Sequence, residues 1–490
     1  MLATTTCDVL VVGGGGAGLA AAIEAAERGA KVVLLEKNAD LGGSTAWSVG
    51  SVTASQTPHQ RRAGIEDNPL HHWQDMPGFA GALASRDNDD LRRVLCDAMP
   101  DTFAWLLASG VRFMGPMPEP PHRVARMHNV LPNSRAFIYH LSRRARRAGV
   151  HVVTSAQVHA LVSQRGEVIG VDAKYMGQTQ RWLATGGVVL AAGDFTNAAD
   201  LKARFIGEQA AAIEAVNPTA TGDGQRMAEA VGAQIVNGDL ALGPEIRFMP
   251  PARGHWLLRL PPWRWLASGM AWAIAHVPPA LLRPFLMKFL TTALAPSPEL
   301  FTQGALLVNT AGQLVSTDNG DPAWRLPRQP GKVGYVLLDH ELAKRFSAWP
   351  HFVSTAPGVA YAYLDDYRRN RPDVCHVAPN LQALAQVIGV PPETLQQAVA
   401  QTHMAKHSHQ PMVALGPVQA VFVHNEGGLR VDAQHRVLNT DGVAIAGLYA
   451  AGSTGQGGLL LKGHGHHLAW AFTSGRRAGQ MATERARLSV

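Results

Sequence analysis

The stretch CDVLVVGGGGAGLAAAIEAAERGAKVVLLEK, near the N-terminus, limits the fold more than any other part of the chain. Val9 to Val12 form an apolar run that reads as a fully buried strand. Gly13, Gly15 and Gly18 then fit G-x-G-x-x-G, an alanine-rich helical pattern comes next, and a second buried strand ends in an acid, Glu36. Each glycine has a physical task. Gly13 permits the tight turn, Gly15 lets the backbone approach a pyrophosphate, and Gly18 lets the helix pack on the strand. The helix N-terminus then faces the phosphates, and Glu36 is placed to accept ribose hydroxyls. Strand, glycines, helix, strand and acid in this order predict a dinucleotide site built on Gly13, Gly15, Ala17, Gly18, Glu36 and Lys37.

The 490 residues allow two or three domains. A hydrophobic content of 46% with 17% charged residues is that of a folded globular chain. The three cysteines (Cys7, Cys96, Cys375) are far apart, which speaks against a disulfide framework or a structural zinc and for a reducing compartment. The chain runs straight into a strand pattern, so the expected location is cytoplasmic, with docking on the inner face of a membrane left open. Net charge is +7. The arginine cluster LSRRARRAG ends a helical pattern and carries no interleaved aromatic residue, so it reads as a solvated helix face, with no nucleic-acid partner expected.

The residues just after Glu36 narrow the cofactor. Gly42, Gly43, Ser44, Thr45, Gly50 and Ser51 crowd into KNADLGGSTAWSVGS. Here the sequence resembles the flavoprotein family of fumarate reductases, succinate dehydrogenase flavoprotein subunits and 3-ketosteroid dehydrogenases. Further matches keep the family's order: VTSAQVHALV around Val158, GGVVLAAGDF with Ala192 and Gly193, TGDGQRMAEAVGA with Asp223, HNEGGLRVD, and GLYAAGSTG with Gly452 and Ser453. The resemblance implies an α/β fold: a Rossmann-like FAD-binding domain of the glutathione-reductase type, interrupted by an α+β cap (substrate) domain. It also implies that His467 and Leu468, in the last helical pattern, lie against the flavin. Members with covalent flavin carry a histidine where this chain has Ser44-Thr45, so noncovalent FAD is expected. Ser453 stands where a glutamate usually meets the ribityl chain. Without a second nucleotide fingerprint, the expected electron partner is external: a quinone, a redox protein or oxygen.

By the resemblance the flavin domain covers residues 1–240 and 417–490, and the cap 241–416. The cap hairpin FTQGALLVNTAGQLV reads Leu314, Val315 and Ser316 where fumarate reductases carry their arginine. That counts against a C4-dicarboxylate substrate. From Ile246 to Pro298 there is no aspartate or glutamate, yet Trp256, Trp263, Trp265 and Trp272 stand there with Arg247, Arg253, Arg259, Arg264, Arg283 and Lys288. Within it, the apolar insertion 255–295 suits a segment lying in a membrane interface, dipping in rather than crossing. A buried helical hairpin or a homo-oligomer interface fits equally well.

The candidates for chemistry are His424, Lys462, His464 and Tyr363. Lys462 falls where fumarate reductases carry a carboxylate-binding arginine, and His424 where they carry a substrate-binding histidine, with Glu426 beside it atypical. LLLKGHGHH reads as a pocket-lining loop, Lys462 and His464 meeting a carbonyl or carboxylate. No metal is expected, since His464, His466 and His467 have no further ligand close in sequence. Tyr361 and Tyr363 are candidate acid–base residues of the cap. The leading expectation is a dehydrogenase (desaturase) of an apolar cyclic ketone, 3-ketosteroid-like, acting on a CH–CH bond α,β to the carbonyl. The alternatives are an ene-reductase of an unsaturated carboxylate and a membrane-docked electron-transfer subunit.

Overall fold

The computed structural model describes residues 3–251, 260–316, 322–356 and 360–488; Arg253, Trp256 and Arg259 lie outside them. Strand β1 (Val9–Val12) is wholly buried, helix α1 (Gly16–Glu27) comes after it, and β2 (Val32–Leu35) pairs with β1 in parallel, Val12 opposite Leu35. A six-stranded sheet grows from this pair. His151–Val153 lies beyond β2, and Val188–Leu190, Ala444–Ala450 and Arg436–Leu438 lie on the other side. Continuous Val/Leu runs are what a sheet covered on both faces requires. One face carries α1 and the C-terminal helix. A four-stranded sheet of Thr4–Cys7, Gln178–Ala184, Glu167–Tyr175 and Gln157–Gln164 completes the domain.

Three further helices bear on the site. Helix α2 (Pro69–Asp75) starts on the side-chain cap of Asn68. Helices α3 (Arg264–His276) and α4 (Pro279–Ala293) form the apolar insertion, separated at Val277 and Pro278. No helix among the described residues is long and apolar enough to cross a membrane. Helix α3 packs on the hairpin Arg112–Met117/Met127–Leu131 of the flavin domain, and α4 on helix Leu364–Asn370 of the cap. Arg283 forks onto Asp366 at 2.6 and 2.8 Å. Trp265 (68% exposed), Trp272 (62%), Leu281 and Phe285 face solvent, so the insertion is not the fully buried hairpin that the sequence also allowed.

The cap has its own core, centred on Leu307, Val336, Leu337, Leu384 and Leu415. Its sheet is organised by strand β3 (Met412–Phe422), which pairs with Val333–Leu338, Glu245–Phe248 and Cys375–Ala378. The strand runs through residue 416, so the cap sheet continues past the boundary expected there. The two crossings between domains lie side by side, Leu242 opposite His424. Helix α5 (His466–Leu488) closes the flavin domain against α1. A Cβ at Gly475 would stand 2.3 Å from the carbonyl oxygen of Ala17, and one at Gly479 2.2 Å from that of Ala21. Only glycine lets these backbones approach so closely.

Candidate active site

A cleft opens at the carboxyl end of β1, where the polarity of a parallel sheet places such sites. Of the residues expected to hold FAD, Gly13, Gly15, Ala17, Glu36, Lys37, Gly43, Ser44, Thr45, Val158, Ala192, Gly193, Asp223, Gly452 and Ser453 line it. Its walls are set before any ligand arrives. The buried Glu36 carboxylate accepts from the Gly14 amide at 2.6 Å and from both nitrogens of Asn38. Lys37 donates to Asp223 at 2.8 Å and to Thr221 at 2.6 Å, and Asn217 donates to Ser44 at 2.8 Å. Asn38, Asn217, Thr219 and Met227 also line the cleft and escape a reading of the sequence, because nothing local marks them.

Gly15 tests the fit to FAD. Its φ is −79°, open to any residue, and an added Cβ would meet nothing closer than 3.7 Å. A Cβ at Gly193 would likewise have no neighbour within 4 Å. Neither the packing nor, at Gly15, the backbone demands glycine. A ligand lying on the main chain does, and the cleft fits the pyrophosphate. Gly18 differs: its Cβ would fall 1.8 Å from the carbonyl oxygen of Gly13, so its task is packing α1 onto β1. Gly50, Ser51, His467 and Leu468 do not line the cleft. Gly50 accepts from the Val130 amide, Ser51 donates to Asn129 at 2.6 Å, and Leu468 is buried.

The ionisable group near the domain crossing centres on Glu426. Its carboxylate is buried and accepts from the Leu461 amide at 2.9 Å and from the Gln456 side-chain amide. Its other oxygen faces Nε2 of His467 at 3.4 Å and Nε2 of His424 at 3.8 Å, the two rings 3.7 Å apart at their centroids. Burial alone would raise the Glu426 carboxyl, but the facing imidazoles outweigh it and hold the group well below the usual carboxylate range. Burial, with His467 alongside, pushes His424 down. Asp194, where the family pattern has glycine, is buried among these groups, accepts from Thr196 at 2.7 Å, and is raised by desolvation. Glu426 was legible only as an atypical residue beside His424.

The histidines of LLLKGHGHH part in three directions. His467 turns to Glu426. His464 donates from its amide (2.9 Å) and pairs through Nδ1 (2.5 Å) with Glu119, a hydrogen bond that raises its pKa, and Thr53 donates to its carbonyl at 2.6 Å. Its ring stays half exposed. His466 turns into the interior, its Nδ1 on the Lys462 carbonyl at 2.7 Å. The Lys462 ammonium has no partner among the described residues. Glu119, within PMPEPPH, carried no sequence signal. Tyr363 lies elsewhere, at the start of helix Leu364–Asn370 with Arg283 over its ring, and the structure does not bring it to His424 or the cleft.

Comparison with known proteins agrees with this geometry. Residues 8–256 and 271–460 match the family described as FAD binding domain. Fumarate reductase (cytochrome) of Shewanella frigidimarina is 25% identical over 519 residues, covering 98% of this chain and 77% of that one. The open conformation of a flavocytochrome c3 fumarate reductase superposes with a TM-score of 0.73 at 21% identity, over 98% of this chain and 78% of that one. A 3-ketosteroid delta1-dehydrogenase from Sterolibacterium denitrificans superposes at 0.65 and 18% identity, over 98% and 99%. The chain therefore belongs to the FAD binding domain family and is an FAD-dependent oxidoreductase acting on C=C bonds.

Proposed function

We propose that this enzyme reduces a C=C bond conjugated to a carbonyl or carboxylate on a polar substrate. The observation that carries the reading is the His424–Glu426–His467 group beside the flavin cleft. Bound FAD supplies the hydride chemistry at the β-carbon. The chain's own residues govern the proton and the oxygen. Glu426, held anionic, favours a proton on Nε2 of the imidazole facing it, His467, and offsets the ring's positive charge when Nδ1 carries a second proton, the one delivered to the α-carbon. Carboxylate, imidazole and reacting group then stand in line, as in other oriented acid–base pairs. The unpartnered Lys462 ammonium suits the carbonyl or carboxylate oxygen, where negative charge grows as hydride arrives. The half-exposed His464 is a further polar contact at the rim.

The apolar cyclic ketone expected from the sequence rested on the tryptophan-rich segment. Trp265 and Trp272 face solvent on a helix packed against the flavin domain, which removes that support. The same exposure favours a peripheral membrane contact for the α3–α4 pair, and an external electron partner (a quinone or redox protein) then supplies the electrons. The test is anaerobic. The dithionite-reduced holoenzyme is mixed with an α,β-unsaturated carboxylate, and the return of the oxidised flavin spectrum is recorded. Reoxidation coupled to loss of the double bond is expected. A reduced enzyme inert to enoates and enones, with oxidised flavin bleached by saturated ketones, would establish the dehydrogenase instead.

A further inference from the structure

We propose that His72, His122 and His466 form a binding site for one divalent d-block cation of the zinc type, buried behind the catalytic loop. The three residues come from α2, from the segment after strand Arg112–Met117, and from the first position of α5. Their relative exposures are 0%, 8% and 0%. The ring centroids are 5.4, 5.7 and 5.3 Å apart, and one nitrogen from each ring lies within 4.8 Å of the other two. Tetrahedral zinc with Zn–N near 2.0–2.1 Å sets its ligand nitrogens about 3.3 Å apart. Modest ring rotations close that gap.

The second observation concerns hydrogen bonds that are missing. Both ring nitrogens of His72, Nε2 of His122 and Nε2 of His466 are buried without a partner among the described residues. A buried nitrogen left unpaired costs roughly 1–3 kcal/mol, and native proteins seldom leave four together. A cation accounts for three of the four. His466 is already set for ligation: Nδ1–H donates to the Lys462 carbonyl, which fixes the tautomer and leaves the Nε2 lone pair free. On the far side, Arg126 is clamped by Asp67 at 2.7 Å and by Asp75 at 2.5 Å. Arg123 also pairs with Asp75, at 2.8 Å, so two guanidiniums and two carboxylates balance beside the cluster and set no net charge against a cation. His122 Nδ1 accepts from Arg126 at 2.8 Å and lies 4.0 Å from Asp75. Ligation through Nε2 moves its proton to Nδ1, so the ring must turn from the Arg126 donor toward the Asp75 carboxylate as the ion binds. Phe79 packs on His122 and His466, centroids 4.7 and 5.3 Å away, and a water would take the fourth position that three imidazoles leave open.

All three rings are buried, an environment that disfavours their charged form and suits neutral imidazole ligands. The ion's task would be positional. It ties α2 and the segment carrying His122 and Arg126 to the N-terminus of α5. His467, one residue on, faces Glu426, and His464, two residues back, is held by Glu119. In the sequence His466 reads as a ligand only together with His464 and His467, which the fold sends elsewhere.

The experiment uses the FAD-loaded enzyme, stripped with chelator and dialysed, then titrated with Zn2+ alone and, separately, Co2+. Expected are one tightly bound Zn2+ per chain by elemental analysis and the visible absorption of four-coordinate Co2+. His72→Asn and His122→Asn should each weaken binding at least a hundredfold while flavin content stays unchanged. His409→Asn, on a histidine remote from the cluster in sequence, should leave it intact. Failure to bind Zn2+ or Co2+, or binding that survives both cluster variants, would overturn the proposal.

Discussion

Gly15 illustrates how one residue separates a packing role from a ligand role. Its backbone is ordinary and the space beside it is empty of protein, so Gly15→Val should fold with normal stability yet fail to retain flavin. Loss of the yellow absorbance with an unchanged circular dichroism spectrum is the expected outcome. Normal flavin content would show that the pyrophosphate lies elsewhere. Glu426 acts through its neighbours. Glu426→Gln removes the charge that favours the His467 proton but keeps the shape and the bonds from Gln456 and Leu461. Turnover should fall roughly a hundredfold, the usual scale for a misplaced acid, with FAD content unchanged. Lys462→Ala should act in the same direction, by ~3 kcal/mol in the barrier. If neither variant slows steady-state turnover, the group is structural.

Among the elements, α3 and α4 pose the clearest question. Trp265, Trp272, Leu281 and Phe285 are exposed, and no acid interrupts the sequence from Ile246 to Pro298. Rings at headgroup depth beside cations match an anionic lipid surface. Trp265→Ser combined with Trp272→Ser should reduce co-sedimentation with phosphatidylserine-containing vesicles severalfold, leaving flavin content unchanged. Wild-type protein that never binds such vesicles would make this face an interface of another kind. The sequence suggested one segment dipping into a membrane. The structure has two shorter helices, one on each domain, because Val277 and Pro278 break the run where chain geometry must turn.

At the scale of the whole molecule, stability should depend on pH through buried neutral histidines. His128 and His435 are fully buried, and desolvation drives both to about 3. Folded, they stay neutral down to that value, whereas the unfolded chain takes up protons from about pH 6.5. The unfolded state then binds more protons, so stability falls as pH drops through the window from 6.5 to 3. Two such groups contribute about 2.7 kcal/mol per pH unit there, at about 1.36 kcal/mol per proton. Urea midpoints between pH 7 and 5 should show this decline, and His128→Gln should lessen its slope by about 1.36 kcal/mol per pH unit. A profile flat across that range would mean that these rings are protonated or solvated.

The flavin domain was legible from sequence because its signals are local. Glycine spacing, a buried strand and an acid at the strand end are set by neighbouring residues, and they named Gly13, Gly15 and Glu36; the resemblance to known flavoproteins added Ser44, Asp223 and Gly452. The cap was expected at 241–416 from the resemblance and the hairpin around Asn309, whereas its central strand runs on to Phe422 and the return crossing lies at His424. The ionisable groups were not, because their partners lie far apart in the chain. Glu119 meets His464, and His72 meets His466, only after α5 has folded back against α1 and α2. An apolar run such as Trp265 to Leu282 reads alike whether a protein core or a lipid surface covers it, since periodicity records which residues are apolar and not what lies against them. The sequence by itself determined the fold around a dinucleotide site, and its resemblance to known flavoproteins named the cofactor as FAD. Only the tertiary structure decided which histidine faces Glu426, which meets Glu119 and which is buried, because those choices depend on distances that the chain sets when it closes.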